Sequence, residues 1–161
     1  MPDVSVLDSD EWDTLRKVRL TALRESPDAF LSTYEREKYY GEDEWRAEFK
    51  RGDWNVGRLR GQLVSLLGVT REPETPMHEC YLEYIWVADR FRRSGVASRM
   101  LATVIDRLRG SGVRTVFLWI LDGNDPAKRL YEQTGFVSTR RRQPLAARPG
   151  CSEELLRLDL A

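Results

Sequence analysis

Near the middle of the chain a strand pattern passes through a basic turn directly into a helix pattern, and this succession restricts the fold more than any other feature. The run Glu79 to Val87 is dense in aromatic and β-branched residues, as strands are. The turn Arg90 to Arg93 is rich in arginine. From Gly95 to Arg109 apolar residues recur at three- and four-residue steps, as on one face of a helix. We therefore predict a fold that combines strands with helices.

The same periodicities predict the remaining elements. Strands are predicted at 4–7, 54–60, 63–70, 79–87, 113–121, 136–140 and 154–158, and helices at 9–25, 33–50, 95–109 and 125–134. Gly41 can break the second helix. The order βααβββαβαββ predicts one α+β domain, spanning residues 1–161, around a mixed sheet.

Charge and composition limit the kinds of partner. The 26 basic and 26 acidic residues cancel, so no overall field attracts nucleic acid or an anionic membrane. The two cysteines, Cys80 and Cys151, lie far apart without a CxxC pattern, and His78 is the one histidine, which predicts neither a disulfide framework nor a metal site. No apolar run is long enough for a membrane span, and the N-terminus lacks a secretion pattern. We expect a cytoplasmic protein with no metal, nucleic-acid or membrane partner.

The basic turn before the third helix suits a diphosphate. The first amide N–H groups of a helix have no intrahelical partner and carry a partial positive charge, so they can receive an anion. Gly95 and Ala97 leave the backbone there accessible. The alternative is that Gly95 only eases a tight turn and that the arginines are solvated charges.

The run Arg92-Arg93-Ser94-Gly95-Val96-Ala97 resembles the acetyl-CoA pyrophosphate motif of the GNAT superfamily, Gln/Arg-x-x-Gly-x-Gly/Ala. Ala97 stands where glycine is commoner. The resemblance implies a GNAT-like domain of bacterial type, with a mostly antiparallel sheet of about seven strands and about four flanking helices. It also implies that backbone amides from Arg93 to Ser98 hold the pyrophosphate, and that Ile85 to Val87 face the pantetheine arm.

A second run, Leu121 to Phe136, resembles the family signature Asn-x-x-Ala-x-x-Leu-Tyr-x-x-x-Gly-Phe. The resemblance implies that Asn124 contacts CoA and that the Tyr131 hydroxyl protonates the departing thiolate. The residue pattern alone also allows Tyr131 to be part of a buried helix face, and Asn124 to be a turn residue before an N-cap at Asp125. The implied cofactor-binding residues are Ile85, Trp86, Val87, Arg92, Arg93, Ser94, Gly95, Val96, Ala97, Ser98, Asn124 and Tyr131.

Glu83 is the first candidate for a general base. Strict alternation along the strand would place Tyr81, Glu83, Ile85 and Val87 on one face, next to the basic turn. Glu83 would take a proton directly or through water. A surface carboxylate paired with an arginine is the alternative, and Tyr81, Glu79 and His78 remain open as other bases.

The sequence indicates the acceptor-binding residues less clearly than the cofactor-binding residues. Ser26 to Glu37 resembles a region that borders the acceptor pocket in a bacterial subgroup, which implies that Phe30 and Tyr34 contact the acceptor; packing of the second helix is the alternative. Tyr81 is a further candidate for acceptor contact. The predicted function is acetyl transfer from acetyl-CoA to a primary amine of an unidentified small molecule or protein in a ternary complex. A catalytically silent acyl-CoA sensor or interaction module is the competing prediction, and a homodimer is left open.

Overall fold

A computed structural model describes residues 1–160. The strands are β1 Asp3–Val6, β2 Gly52–Leu59, β3 Gln62–Thr70, β4 Glu79–Val87, β5 Thr115–Leu121, β6 Val137–Pro144 and β7 Ser152–Asp159. The helices are α1 Trp12–Glu25, α2 Tyr34–Glu37, α3 Glu42–Phe49, α4 Val96–Gly110 and α5 Asp125–Thr134. Short 3₁₀ turns occupy Ser9–Glu11, Pro27–Ala29 and Asp89–Phe91. The predicted α+β class and the order of its elements are confirmed.

The seven strands form one mixed sheet in the order β1-β2-β3-β4-β5-β7-β6. Every neighbouring pair is antiparallel except β4 and β5, which are parallel. This parallel pair is short, since only 79–81 of β4 pair with 115–117 of β5. Beyond these residues the two strands diverge, and the opening between them is called the β4–β5 cleft below.

Helices cover both faces of the sheet. On one face α4 buries six apolar side chains at helical spacing against β3, β4 and β5, and Tyr131 of α5 joins the same cluster. On the other face α1 packs Leu15, Val18 and Leu23 against Trp54 of β2 and its neighbours. Among residues 1–160, none of the helices has the length and apolar character that crossing a membrane requires.

Two elements differ from their predicted form. The second helical region is split into α2 and α3, because Gly41 starts a new helix and its N–H donates to the Glu44 carboxylate at 2.9 Å. The described chain therefore has five helices rather than about four. Strand β6 extends to Pro144, beyond the predicted end at Arg140. All its residues are exposed, so no apolar alternation marks its length in the sequence.

Candidate active site

The β4–β5 cleft opens at the carboxyl ends of the parallel strands, which is where open sheets usually bind ligands. A cavity of about 370 Å³ lies there, called the cleft cavity below. Its walls combine aromatic and apolar side chains with three charged ones. The lining residues are Ala29, Phe30, Leu31, Arg51, Tyr81, Leu82, Glu83, Tyr84, Trp119, Leu121 and Glu153. A second cavity of about 480 Å³, next to Asn124, shares Ala29 and Leu121 with it.

A β-bulge interrupts β4 where the cleft begins. Gly68 of β3 pairs with Glu83, while Leu66 pairs with Trp86, so β4 contains one more residue than β3 over this stretch. Tyr84, within the bulge, has a φ of +55°, an uncommon left-handed conformation for a bulky residue. Bulges re-aim side chains and leave backbone groups without ladder partners.

The bulge corrects the predicted face of β4. Leu82, Ile85 and Val87 contact the cluster beneath α4, whereas Glu83 lines the cleft cavity. The prediction that Tyr81, Glu83, Ile85 and Val87 share one face is therefore wrong. The extra residue interrupts the two-residue alternation between Glu83 and Ile85. The side chains after the bulge therefore point to the face opposite to the one that strict alternation predicts.

A buried arginine of α1 holds the bulge residue. Arg19, only 3% exposed, donates a hydrogen bond from Nη2 to the Tyr84 hydroxyl at 2.8 Å. Its Nε lies 2.7 Å from Oε1 of the fully buried Glu37, and its Nη1 donates to Glu48 at 2.9 Å. Burial lowers the pKa of Arg19, but Tyr84, Glu37 and Glu48 more than offset this, so the pKa lies above its ordinary value. Arg19 thus remains charged and fixes Tyr84.

Glu83 lies at the outer end of this charge network. Arg51 donates to Glu48 at 3.1 Å and to Glu83 at 3.4 Å, so the second contact is the longer one. The pKa of Arg51 is raised, because Glu48 and Glu83 outweigh the lowering effect of burial. Arg19 and Arg51 face three glutamates, which leaves one negative charge in excess. Glu83 is the glutamate of this network that lines the cleft cavity, and 35% of its side chain is exposed.

The other candidate bases occupy different positions. Tyr81 lines the cleft cavity, with its ring centroid 5.5 Å from that of Phe117. Glu79 and His78 are not among the lining residues, and Glu79 lies at the closed end of the cleft, where it pairs with Thr115. Position therefore favours Glu83 and Tyr81 over Glu79 and His78.

The basic turn forms the N-terminal end of α4. Arg93 and Gly95 both adopt left-handed conformations, with φ of +59° and +88°. The Arg99 N–H donates to the Gly95 carbonyl at 3.0 Å, which closes the first helical turn. The amides of residues 96–98 precede that bond and have no intrahelical acceptor. The predicted segment Arg92 to Ser98 thus contains the free N–H groups at the N-terminal end of α4.

The Arg92 side chain has a structural role in this turn. Its Nε donates to the Val87 carbonyl at 3.0 Å and its Nη2 donates to the Ser26 hydroxyl at 2.7 Å. Its Nη1 lies 2.9 Å from a carboxylate oxygen of Asp89. These contacts tie the turn to the end of β4, so Arg92 is not simply a solvated charge.

Asn124 is the N-cap of α5. Its side-chain oxygen accepts from the Ala127 N–H at 3.4 Å, three residues along the chain. The alternative of an N-cap at Asp125 is wrong, because Asp125 is the first residue of the helix and the cap must precede it. Asn124 also borders the second cavity, with Asp122 and Gly123.

Tyr131 is buried, with 8% of its surface exposed, and its ring packs edge-on to Phe136 at 5.9 Å. Burial raises the pKa of its hydroxyl, which therefore keeps its proton and stays a donor. Burial is the whole cause of this shift, with no hydrogen bond or nearby charge contributing to it. A buried tyrosine usually has a hydrogen-bond partner, and a bound molecule could supply it here.

The acceptor residues predicted from the sequence separate in the structure. Phe30 and Tyr81 line the cleft cavity, but Tyr34 is not among the lining residues and packs against the cluster under α1. Sequence reasoning missed Trp119 and Glu153. Alternation along β5 could have identified Trp119, whereas nothing in the sequence around Glu153 distinguishes it.

Comparison with known proteins shows the family of the chain. The model of the acetyltransferase (GNAT) family matches residues 18–136, most of the sequence. The chain belongs to this family. The N-alpha-acetyltransferase RimI of Mycobacterium tuberculosis H37Rv is 30% identical over 134 residues, which cover 78% of this chain and 83% of the relative. The solved structure of YncA from Salmonella typhimurium, described as a putative acetyltransferase with its cofactor acetyl-CoA, has the same GNAT fold. Its TM-score is 0.78 at 14% identity, with coverage of 100% of this chain and 95% of YncA.

Another relative matches over a shorter region. The uncharacterized N-acetyltransferase YycN of Bacillus subtilis strain 168 is 31% identical over 86 residues, or 53% of this chain. The match spans about half the length of that relative, 55%. The predicted membership of the GNAT family is thus confirmed.

Proposed function

We propose that this GNAT-family chain is a single-domain N-acetyltransferase that moves the acetyl group of acetyl-CoA to a primary amine. One observation carries the proposal: the β4–β5 cleft has the free amides of α4 near one end and the Glu83 carboxylate in its cavity. The first arrangement suits a diphosphate, and the second suits a cationic amine. YncA, which was solved with acetyl-CoA, supports the choice of donor.

The donor would lie along β4 and against α4. Backbone groups of β4 that face the cleft have no strand partner beyond Tyr81, so Ile85, Trp86 and Val87 can hydrogen-bond the amides of the pantetheine arm as a neighbouring strand would. The pyrophosphate would be held by amides of the α4 N-terminus. The residues proposed for that end are Arg93, Ser94, Gly95, Val96, Ala97 and Ser98. Arg92 would hold the turn in place, and Asn124 would contact CoA from the start of α5.

The acceptor nitrogen must lose a proton before it attacks. An alkyl amine with a pKa of about 10.4 is almost entirely protonated at neutral pH, which costs roughly 4 to 5 kcal/mol. Glu83 would take this proton directly or through water, a contribution of about 10² to 10⁴ in rate. The nitrogen then bonds to the thioester carbonyl carbon, and a backbone amide at the bulge would stabilise the oxyanion. Collapse of the intermediate restores the carbonyl and breaks the carbon–sulfur bond, and Tyr131 would protonate the departing thiolate. The nitrogen would lose its second proton through water, which returns a proton to the Tyr131 hydroxyl.

A thiol-release assay with acetyl-CoA and a panel of amines tests this proposal. The expected result is CoA release that depends on the amine, together with a product heavier by one acetyl group. Tight CoA binding without amine-dependent release would favour the catalytically silent sensor instead.

The α-amine of a polypeptide is a second candidate acceptor. The relative RimI is named as an N-alpha-acetyltransferase, and its similarity extends over 78% of this chain. The amine panel therefore includes short peptides with free N-termini beside small alkyl and aryl amines. Acetylation of the peptides alone would identify this candidate.

Replacing Tyr131 with phenylalanine is expected to lower kcat by about 10²-fold, because the thiolate would leave without its proton donor. The KM for acetyl-CoA should stay within about twofold, since the ring and its packing are kept. Steady-state kinetics with saturating amine measure both quantities. Tyr39→Phe, on an exposed tyrosine, is the matched control. A wild-type kcat in Tyr131→Phe would restrict this residue to a packing role.

A further inference from the structure

The cleft cavity has a carboxylate on two different strands. Glu83 lies on β4, and Glu153 lies on β7, opposite Leu121 of β5. Because β5 separates β4 from β7, the two backbones are at least two strand spacings apart, about 10 Å. Glu83 and Glu153 therefore line one cavity from strands on either side of β5.

Neither carboxylate is fully neutralised by a nearby cation. Glu153 accepts a hydrogen bond from the neutral Gln143 amide at 2.6 Å, and no ion pair involves it within residues 1–160. Glu83 shares Arg51 with Glu48, in a network that has one negative charge in excess. Arg141 lies near the Trp119 ring, 5.7 Å from its centroid, but it is not one of the residues that line the cleft cavity.

The surface between the two carboxylates is apolar and aromatic. Tyr81 on β4 and Trp119 and Leu121 on β5 line the cavity there, and Phe30 lines it from the loop after α1. Aromatic faces attract cations and pack against apolar groups. A molecule that crosses the cavity from Glu83 to Glu153 thus meets negative charge at each end and an apolar wall between.

We propose that the acceptor is a dicationic amine, with its reacting ammonium at Glu83, an apolar or aromatic spacer across Tyr81 and Trp119, and a second cation at Glu153. The identity of the reacting end rests on the function proposed above. Glu153 is then a specificity-determining residue, because its charge favours the binding of acceptors with a second cation over acceptors without one. A small diamine and a peptide with a basic side chain near its free N-terminus both have this chemistry.

Calorimetric titration of the full chain with a matched pair of amines tests the proposal. p-Xylylenediamine and p-methylbenzylamine share an aromatic body and differ in one ammonium group. We expect the diamine to bind about tenfold more tightly, as a charge-assisted contact predicts. Glu153→Gln should reduce this ratio to within about twofold. Glu132→Gln, an exposed carboxylate on α5, should keep the wild-type ratio. Two tetrapeptides with lysine or norleucine at the second position test the peptide source in the same way.

Each outcome decides one of the two proposals. Equal binding of diamine and monoamine by the wild-type chain overturns the dicationic acceptor, whatever the folding of the variant. A diamine preference that persists in Glu153→Gln overturns the role of Glu153. A diamine preference with no amine-dependent thiol release supports the dicationic site and contradicts acetyl transfer. Thiol release with equal kcat/KM for both amines supports acetyl transfer and contradicts the dicationic acceptor.

Discussion

Replacing Arg19 with methionine is expected to lower the free energy of unfolding by about 3 to 5 kcal/mol. Arg19 is the buried partner of Glu37, a carboxylate with 0% exposure. Methionine fills similar space without the charge, so Glu37 would be buried with no cation beside it. The Tyr84 hydroxyl and Glu48 would also lose a donor.

Urea denaturation of Arg19→Met and of the wild-type chain measures this loss. Arg109→Met is the matched control, because Arg109 pairs with Asp106 at 3.0 Å while half of its side chain is exposed. Such a surface pair contributes about 0 to 1 kcal/mol. The double variant Arg19→Met with Glu37→Leu should recover much of the loss, since it removes both buried charges. Equal losses in Arg19→Met and Arg109→Met would contradict the proposed importance of the buried pair.

Replacing Glu83 with glutamine is expected to lower kcat by about 10² to 10⁴ at neutral pH, since the amide cannot accept the proton of the acceptor ammonium. The variant would depend on the small fraction of free amine in solution. As long as the pH is below the pKa of the amine, its rate should therefore rise about tenfold for each unit by which the pH increases. Acetyl-CoA binding should not change, because α4 and the cleft-facing backbone of β4 are kept.

Kinetics of amine-dependent thiol release from about pH 6 to 9 check this expectation. Glu79→Gln is a control on the same strand, at the closed end of the cleft and outside the cleft cavity. A thermal melt of Glu83→Gln separates a catalytic effect from the loss of the Arg51 contact. Should the variant keep the wild-type kcat and pH profile, another group would have to remove the proton.

Local patterns in the sequence were sufficient to predict the order of elements, and the two motifs were recognised by their resemblance to the family. The strand from Glu79, the helix after Gly95 and the helix around Tyr131 each show a periodicity that tertiary packing then uses. The sequence did not predict the bulge at Tyr84, because an extra residue in one strand is defined by its pairing with another strand. The predicted side-chain directions beyond Glu83 were wrong for that reason.

The buried ion pair had a partial indication in the sequence. Arg19 follows Leu15 by four residues and precedes Ala22 by three, so it lies within the apolar stripe of α1. A charge in that position implies a buried partner, but its identity depends on how α2 and α3 fold over α1. The role of Glu153 depends on the arrangement of three strands, two of which are distant in sequence from Glu83, and no local pattern contains that information.

Three residue pairs between β4 and β5 are the narrowest hydrogen-bonded connection in the middle of the sheet, whereas β2–β3 and β5–β7 are joined by long ladders. Amides that face the open part of this junction lack the ladder that slows hydrogen exchange elsewhere in the sheet. A molecule that contacts both strands would occupy those amides and connect the two halves of the sheet. Its binding energy would then add to the free energy of unfolding, and the melting temperature would report occupancy of the cleft.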